Sequence, residues 1–228
     1  MRRLGALPLA HQPGDSWTYN VSQDILGVLL ERATGDDLGT VMRAELLGPI
    51  GMRDTGFSVS PEQQHLLADA YRAGEQGIEL VDRGADSGWL REPQFRSGAG
   101  GLVGTANDWL EFGTMLLAGG VTADGTRLLS PDTVADMMTD HLTPQQRESG
   151  AVFLDGQGWG YGGSVDPGSD EPWSSPGRYG WVGASGTVAV VDPALRTVGV
   201  LMTQLETTGE ESLEIIQRFW TFCRPPAV

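Results

Sequence analysis

The chain has 228 residues, 39% of them hydrophobic and 20% charged, with a formal net charge of −15. That length suits one large domain or two small ones, and the composition suits a soluble globular fold. So acidic a surface repels phosphate backbones and anionic lipid, and no stretch approaches the ~18 apolar residues of a membrane span; neither nucleic acid nor membrane is expected as a partner.

Two residue counts narrow the chemistry. Cys223 is the single cysteine, which excludes an internal disulfide and a Cys-based metal cluster. All 15 cations are arginine, so Schiff-base chemistry, a P-loop lysine and a Ser–Lys base pair are excluded within these residues. The opening MRRLGALPLAHQPG offers two arginines and an apolar run from Leu4 to Ala10. Pro8 breaks the run and no clean cleavage site follows, so it reads as the approach to a first turn, not as a targeting peptide. The compartment stays open, with the cytoplasm as the default.

In chain order, Val21, Ile25, Val28, Leu29 and Ala33 recur every three or four residues, predicting a helix with one core-facing side. Gly35 is its expected stop. A second helix is expected from about Asp37 to Leu47, with Leu38, Val41, Met42 and Leu46 inward and Gly48-Pro49 ending it. Residues 58–96 read as irregular. A glycine-rich loop, SGAGGLVGT, then leads into a helix with Thr105 and Asp108 as a capping box and Gly119-Gly120 as its close. Ser130 and Pro131 open another helix.

From about residue 150 the period changes. GWGYGGSV and GRYGWVGASGTVAVVDPALRTVGVLMTQL predict strands, with 187–191 and 197–204 joined by a turn at DPALR. A last amphipathic helix carries Leu213, Ile216, Phe219 and Trp220 on one flank, and Pro225-Pro226 end it. The acidic residues at 206–214 read as a solvated face at its start. The order predicts an α+β fold: a mainly helical region over 1–150, then antiparallel strands and a covering helix over 151–228, one partial domain in all.

Five segments in this order resemble a known family: PGDSWTYNVSQDILGVLLERATG, LLGPIGMRDTGF, FRSGAGGLVGTANDWLEFGTMLLAGG, RLLSPDTVADMMTDHL and RYGWVGASGTVAVVDP. Each is similar to a segment of the serine β-lactamase-like hydrolases, the group of class C β-lactamases, D-Ala-D-Ala carboxypeptidases and family VIII carboxylesterases. The likeness runs from about residue 5 to 220. It implies a β-lactamase/transpeptidase-like fold, no cofactor, and acyl transfer on an ester, amide or β-lactam through a serine in a Ser-x-x-Lys turn. The form YGW-x-G leans to the esterase side.

On that resemblance Tyr19 takes the place of the family's catalytic tyrosine. A phenol titrates at about 10 in water, so a tyrosine used as a base needs a neighbouring cation. Trp181, Val182 and Gly183 take the place of the strand beside the site; Trp181 would line the acyl pocket, Gly183 would admit substrate to the backbone, and the Ala184 N–H would hold the oxyanion. Asn20 stands where serine is usual, and Val21 where lactamases carry asparagine, which disfavours lactam chemistry.

The chain departs from the family at the nucleophile, since Ser-x-x-Lys cannot occur without lysine. The family places that motif well upstream of its tyrosine. The expectation is therefore a C-terminal portion of a hydrolase, with the N-terminal part of the fold missing: a truncated product, half of a split enzyme, or a misplaced start codon. The implied partners are a small ester or amide substrate and the N-terminal segment as a separate chain.

Plainer readings stand beside these. Tyr19 and Trp181 could be packing residues, and the protein a non-catalytic pseudo-enzyme that binds a ligand in the same pocket. Ser185, in GASGT, lacks the second glycine of a nucleophile elbow and falls on an expected strand, so a nucleophilic role is disfavoured. His11, His65 and His141 lack metal-ligand spacing and read as surface or turn residues. SGAGGLVGT lacks the lysine and preceding strand of a phosphate cradle.

Overall fold

The computed structural model of the chain describes residues 4–19, 21–207 and 210–224, with side chains of the last helix from 213 onward. Asn20 and the expected stop at Pro225-Pro226 lie outside the described residues.

A 3-10 turn (Leu4–Ala6) and then an irregular strap lead into helix α1 (Ser22–Thr34), which Gly35 ends at φ 85°. Asp37 then caps α2 (Leu38–Met42) by accepting from the Thr40 N–H, a contact of about 1 kcal/mol. Here the structure corrects the expected stop at Gly48-Pro49. The helix widens into a π-helical turn (Arg43–Leu47) and continues through α3 (Gly48–Ile50), ending at Gly51 with φ 91°. The Gly48 N–H reaches back to the Arg43 carbonyl, a five-residue step. Such a widened turn accommodates the proline that a regular helix would reject.

Residues 58–96 are not wholly irregular, contrary to the expectation from sequence. They hold an antiparallel hairpin, β1 (Ala70–Gly74) and β2 (Gly77–Asp82). Its end is tied to the main body by the Tyr71 N–H to the Gln204 carbonyl and the Glu206 N–H to the Tyr71 carbonyl, 2.7 and 2.8 Å. Helix α4 (Ala106–Leu117) starts at Thr105, whose hydroxyl accepts from the Asp108 N–H. The other half of the expected capping box is absent: the buried Asp108 carboxylate instead accepts from the Asp54 N–H and the Thr55 hydroxyl, 2.9 and 2.7 Å. Ser130 and Pro131 open α5 (Pro131–Met137) as expected. Two short helices follow, α6 (Pro144–Ser149), with a Thr143–Gln146 capping box, and α7 (Ala151–Leu154).

The main sheet is antiparallel in the order β3 (Gly158–Trp159), β4 (Ser164–Val165), β5 (Tyr179–Gly183), β6 (Thr187–Asp192), β7 (Thr197–Met202). Its two faces follow the two-residue alternation of strands. Tyr179 and Val191 join Leu47, Ile50, Met115 and Val134 in the core under the helices. Val182, Val188 and Val190 pack on the other face against Ile216, Phe219 and Trp220 of α8 (Glu210–Phe222). Gly113 lets α4 lie close on the sheet, since a Cβ there would sit 2.5 Å from Val198.

One expectation of burial fails. The apolar side of α1, expected as core, is open: Val21, Ile25 and Leu29 are 49% to 58% exposed, and Leu26 and Leu30 beside that side are 47% and 37% exposed. Burying a side chain of this size contributes about 1.5–3 kcal/mol, which these residues forgo among the described residues. Similarly β7 is an edge strand of the described sheet. No described helix is long and apolar enough to cross a membrane.

Candidate active site

Tyr19 sits at the end of the strap, three residues before the first residue of α1. The strap has no regular structure, so its hydrogen bonds go to α6 and the residues beside it. The Gln146 side-chain N–H donates to the Gly14 carbonyl at 2.9 Å, and the Trp17 N–H to the Ser149 hydroxyl at 3.0 Å. Trp17 also packs on Gly150, where a Cβ would meet its ring at 2.6 Å. These contacts fix the direction in which Tyr19 leaves the backbone.

The phenol meets the sheet at Trp181. The indole Nε1–H donates to Tyr19 Oη at 2.8 Å. An indole is a donor only, so the phenol oxygen is the acceptor and its own hydrogen points elsewhere. The ring of Phe153 stacks on Tyr19 at 4.9 Å and 20°. Trp159 stands edge-on to both Tyr19 and Trp181, at 6.2 and 4.8 Å, and Trp17 edge-on to Trp159 at 5.0 Å. Such pairs contribute roughly 0.5–1.5 kcal/mol each beyond area burial.

Trp159 is placed by Asp140, whose carboxylate accepts from the Trp159 and Leu142 N–H groups at 3.0 Å and pairs with Arg147. Burial alone would raise that carboxyl; Arg147 and the two amides outweigh it and hold the pKa below the ordinary value. Deeper in the sheet, burial pushes the Tyr179 phenol up to about 12, and its hydroxyl donates to the Tyr161 carbonyl at 2.6 Å.

The glycine-rich loop closes the other side. Asp24, in the first turn of α1, accepts from the Ser97 hydroxyl at 2.6 Å and the Ala99 N–H at 3.2 Å. Gly98 abuts the Gln23 carbonyl so closely that a Cβ would come within 2.4 Å. The loop is thus a structural turn packed against the start of α1. Tyr19, Trp17, Trp159, Trp181 and Ala99 all border an open concavity of about 1220 Å³, which continues over Leu7, Leu9 and the bare face of α1.

The sequence-predicted residues are brought together unevenly. Tyr19 and Trp181 touch. Gly183 shares the Trp181 face of β5, two residues and so about 7 Å further along, and Ala184 opens the exposed turn 184–186. Neither borders the concavity around Tyr19. Gly186 makes that turn possible at φ 77°, with the Leu205 carbonyl 1.9 Å from where a Cβ would stand. Ser185 lies in the turn and not on a strand as expected. His11 bonds the Thr18 hydroxyl at 2.9 Å, and His141 stacks on Tyr161 at 4.9 Å. Among the described residues no cluster of three or more His, Cys, Asp or Glu could hold a metal ion. Sequence reasoning missed Trp17, Phe153 and Trp159; the aromatic density of GWGYGG was the available signal for Trp159 alone.

Comparison with known proteins agrees with this architecture. The family described as Beta-lactamase matches residues 1–218. Protein Rv1367c of Mycobacterium tuberculosis is 41% identical over 88% of this chain and 52% of its own length. Esterase EstB of Burkholderia gladioli is 31% identical over 92% of this chain and 55% of its own. Among solved structures, EstCE1, described as a hydrolase with promiscuous acyltransferase activity, superposes with a TM-score of 0.76 at 25% identity, over 97% of this chain and 60% of that one. A simvastatin synthase (LovD6 mutant) from Aspergillus terreus shares the fold with a TM-score of 0.78 at 24% identity, over 95% of this chain and 56% of that one. The chain thus spans about half the length of the curated relatives it matches.

Proposed function

The chain belongs to the beta-lactamase family, and on that premise we propose that it supplies the tyrosine and strand half of a serine hydrolase acting on small esters. Its relatives include proteins named as an esterase and as acyltransferases, which favours ester chemistry over lactam chemistry. The attacking serine and its lysine come from polypeptide outside these 228 residues, which hold no lysine.

In this reading the serine oxygen attacks the ester carbonyl carbon while its proton passes to the Tyr19–lysine pair. The carbonyl oxygen becomes an oxyanion held by the Ala184 N–H and a second N–H beside the serine; one such donor contributes roughly 3–4 kcal/mol. Collapse of the intermediate breaks the C–O bond, and the departing alcohol takes the proton back through Tyr19. Water, or a second alcohol, then attacks the acyl-serine by the reverse path. Trp181 and Gly183 line the substrate's approach along β5.

The observation that carries the proposal is the 2.8 Å bond between Trp181 and Tyr19, which joins the family's tyrosine and strand motifs across 162 residues. The open faces of α1 and β7 support a further layer of polypeptide over them. The test is a serine-directed fluorophosphonate probe, applied to the chain alone and to the chain mixed with a polypeptide bearing the relatives' Ser-x-x-Lys half. Label should reach only that partner, and faster in the mixture. Labelling of this chain by itself, at Ser185 or elsewhere, contradicts the proposal.

A further inference from the structure

The turn that carries the proposed oxyanion donor is held by its carbonyl groups. Residues 184–186 join β5 to β6, and the Gly186 N–H closes them on the Gly183 carbonyl at 3.0 Å. The segment after β7 supplies the other bonds. The Thr207 hydroxyl donates to the Gly183 carbonyl at 3.0 Å, and the Thr207 N–H to the Ala184 carbonyl at 2.8 Å. The Thr203 hydroxyl and N–H both donate to the Gly186 carbonyl, at 2.9 and 3.0 Å. This segment is itself anchored on the hairpin. The Glu206 N–H donates to the Tyr71 carbonyl at 2.8 Å, and the Glu206 carboxylate pairs with Arg72 at 2.6 Å.

A peptide unit is planar, and in the trans form its C=O and the N–H that follows point in opposite directions. Every described peptide bond is trans. Whatever fixes the Gly183 carbonyl therefore fixes the Ala184 N–H and aims it away from β6. Strand alternation gives the same direction, since successive residues turn their backbone groups to opposite edges. The Arg178 carbonyl accepts from the Asp166 N–H on the β4 side, and Ala184 lies an even number of residues further on. On that side β4 pairs with Tyr179 and Gly180 of β5 and reaches no further. The Ala184 N–H thus emerges on an uncovered edge of β5, and it has no acceptor among the described residues.

A donor stabilises an oxyanion to the extent that it is aimed before the charge develops. We infer that Thr207 is a positioning residue for the oxyanion site: its hydroxyl locks the Gly183–Ala184 peptide plane and so aims the Ala184 N–H at the open edge of β5. What that N–H binds rests on the acyl-transfer reading above; its aim is set within this chain.

The test is the Ala184 N–H order parameter, from nitrogen-15 relaxation of the 228-residue chain. It should lie near 0.85, about that of rigid backbone, and fall below about 0.6 in Thr207→Val, which keeps the shape and loses the hydroxyl. Thr207→Ala is a second variant without the hydroxyl, and Thr207→Ser should restore the rigidity. Thr203→Val removes a hydroxyl from the Gly186 carbonyl instead and should leave the Ala184 N–H rigid. In the proposed complex with a Ser-x-x-Lys polypeptide, Thr207→Val should lower kcat about tenfold with KM little changed, and Thr207→Ser should recover it. An Ala184 N–H that is mobile in the unaltered chain, stays rigid without the Thr207 hydroxyl, or loosens equally in Thr203→Val overturns the assignment. So does an active complex whose kcat ignores Thr207→Val. The order parameter is read without substrate, so a complex that cleaves no ester defeats acyl transfer while relaxation still decides the role of Thr207.

Discussion

Trp181 donates its indole hydrogen to the phenol oxygen of Tyr19 at 2.8 Å. The bond links the sheet to the strap, and it uses one lone pair of the oxygen that the proposed chemistry needs. Trp181→Phe keeps the ring and removes the donor. Loss of one such bond costs about 1–1.5 kcal/mol. In the proposed complex with a Ser-x-x-Lys polypeptide, kcat should fall about tenfold with KM little changed. An unchanged kcat would show the bond to be packing only.

Phe153 stacks on Tyr19 but is itself exposed. Phe153→Ala should therefore cost no more than about 1.5 kcal/mol in denaturant unfolding. Its larger effect should be on the Tyr19 ring, seen as faster ring flipping by NMR. A rigid Tyr19 in that variant would mean that the strap alone holds it.

Asp24 joins α1 to the glycine-rich loop through Ser97 and Ala99. Asp24→Ala should lower stability by about 1–3 kcal/mol, measured by urea unfolding. Ser97→Ala, which leaves the amide bond in place, should cost less. Equal losses would mean that the hydroxyl, not the amide, ties the loop down.

The pH dependence has two parts with opposite signs. Asp140 has its carboxyl held down in the fold, so its contribution is present above the unfolded value of about 3.9 and is lost as pH falls through the lower folded value. Asp140→Asn should flatten this acid limb of Trp159 fluorescence. Tyr179 is pushed up to about 12 against about 10 unfolded. Its contribution is complete below pH ~10 and declines as pH rises toward the folded value. Tyr179→Phe should flatten that alkaline limb in thermal melts and leave the acid limb as it was.

Tyr19 and Trp181 were legible as a pair because each lies in a local motif, WTYN and YGWVG, that carries its own signature. Their surroundings were not. Phe153 and Trp17 reach the site through contacts between distant segments, and nothing in AVFL or GDSW announces them. The hairpin at 70–82 was missed because Ile78, Leu80 and Val81 are exposed, so burial imposes no alternation there. Periodicity found α1 but not its open face, since a 3.6-residue repeat says which side is apolar and not what covers it. Gly48-Pro49 misled because the π-helical turn before it absorbs the proline.

The account depends most on Tyr19 serving the reaction of a serine supplied from elsewhere. The decisive measurement is hydrolysis of p-nitrophenyl acetate by this chain mixed with a polypeptide carrying the Ser-x-x-Lys half. The account predicts turnover in the mixture, none in either part alone, and a fall of at least a hundredfold, the scale of a lost general base, with Tyr19→Phe in an otherwise intact pair. A mixture that never cleaves the ester, or one that cleaves it equally well with Tyr19→Phe, contradicts it.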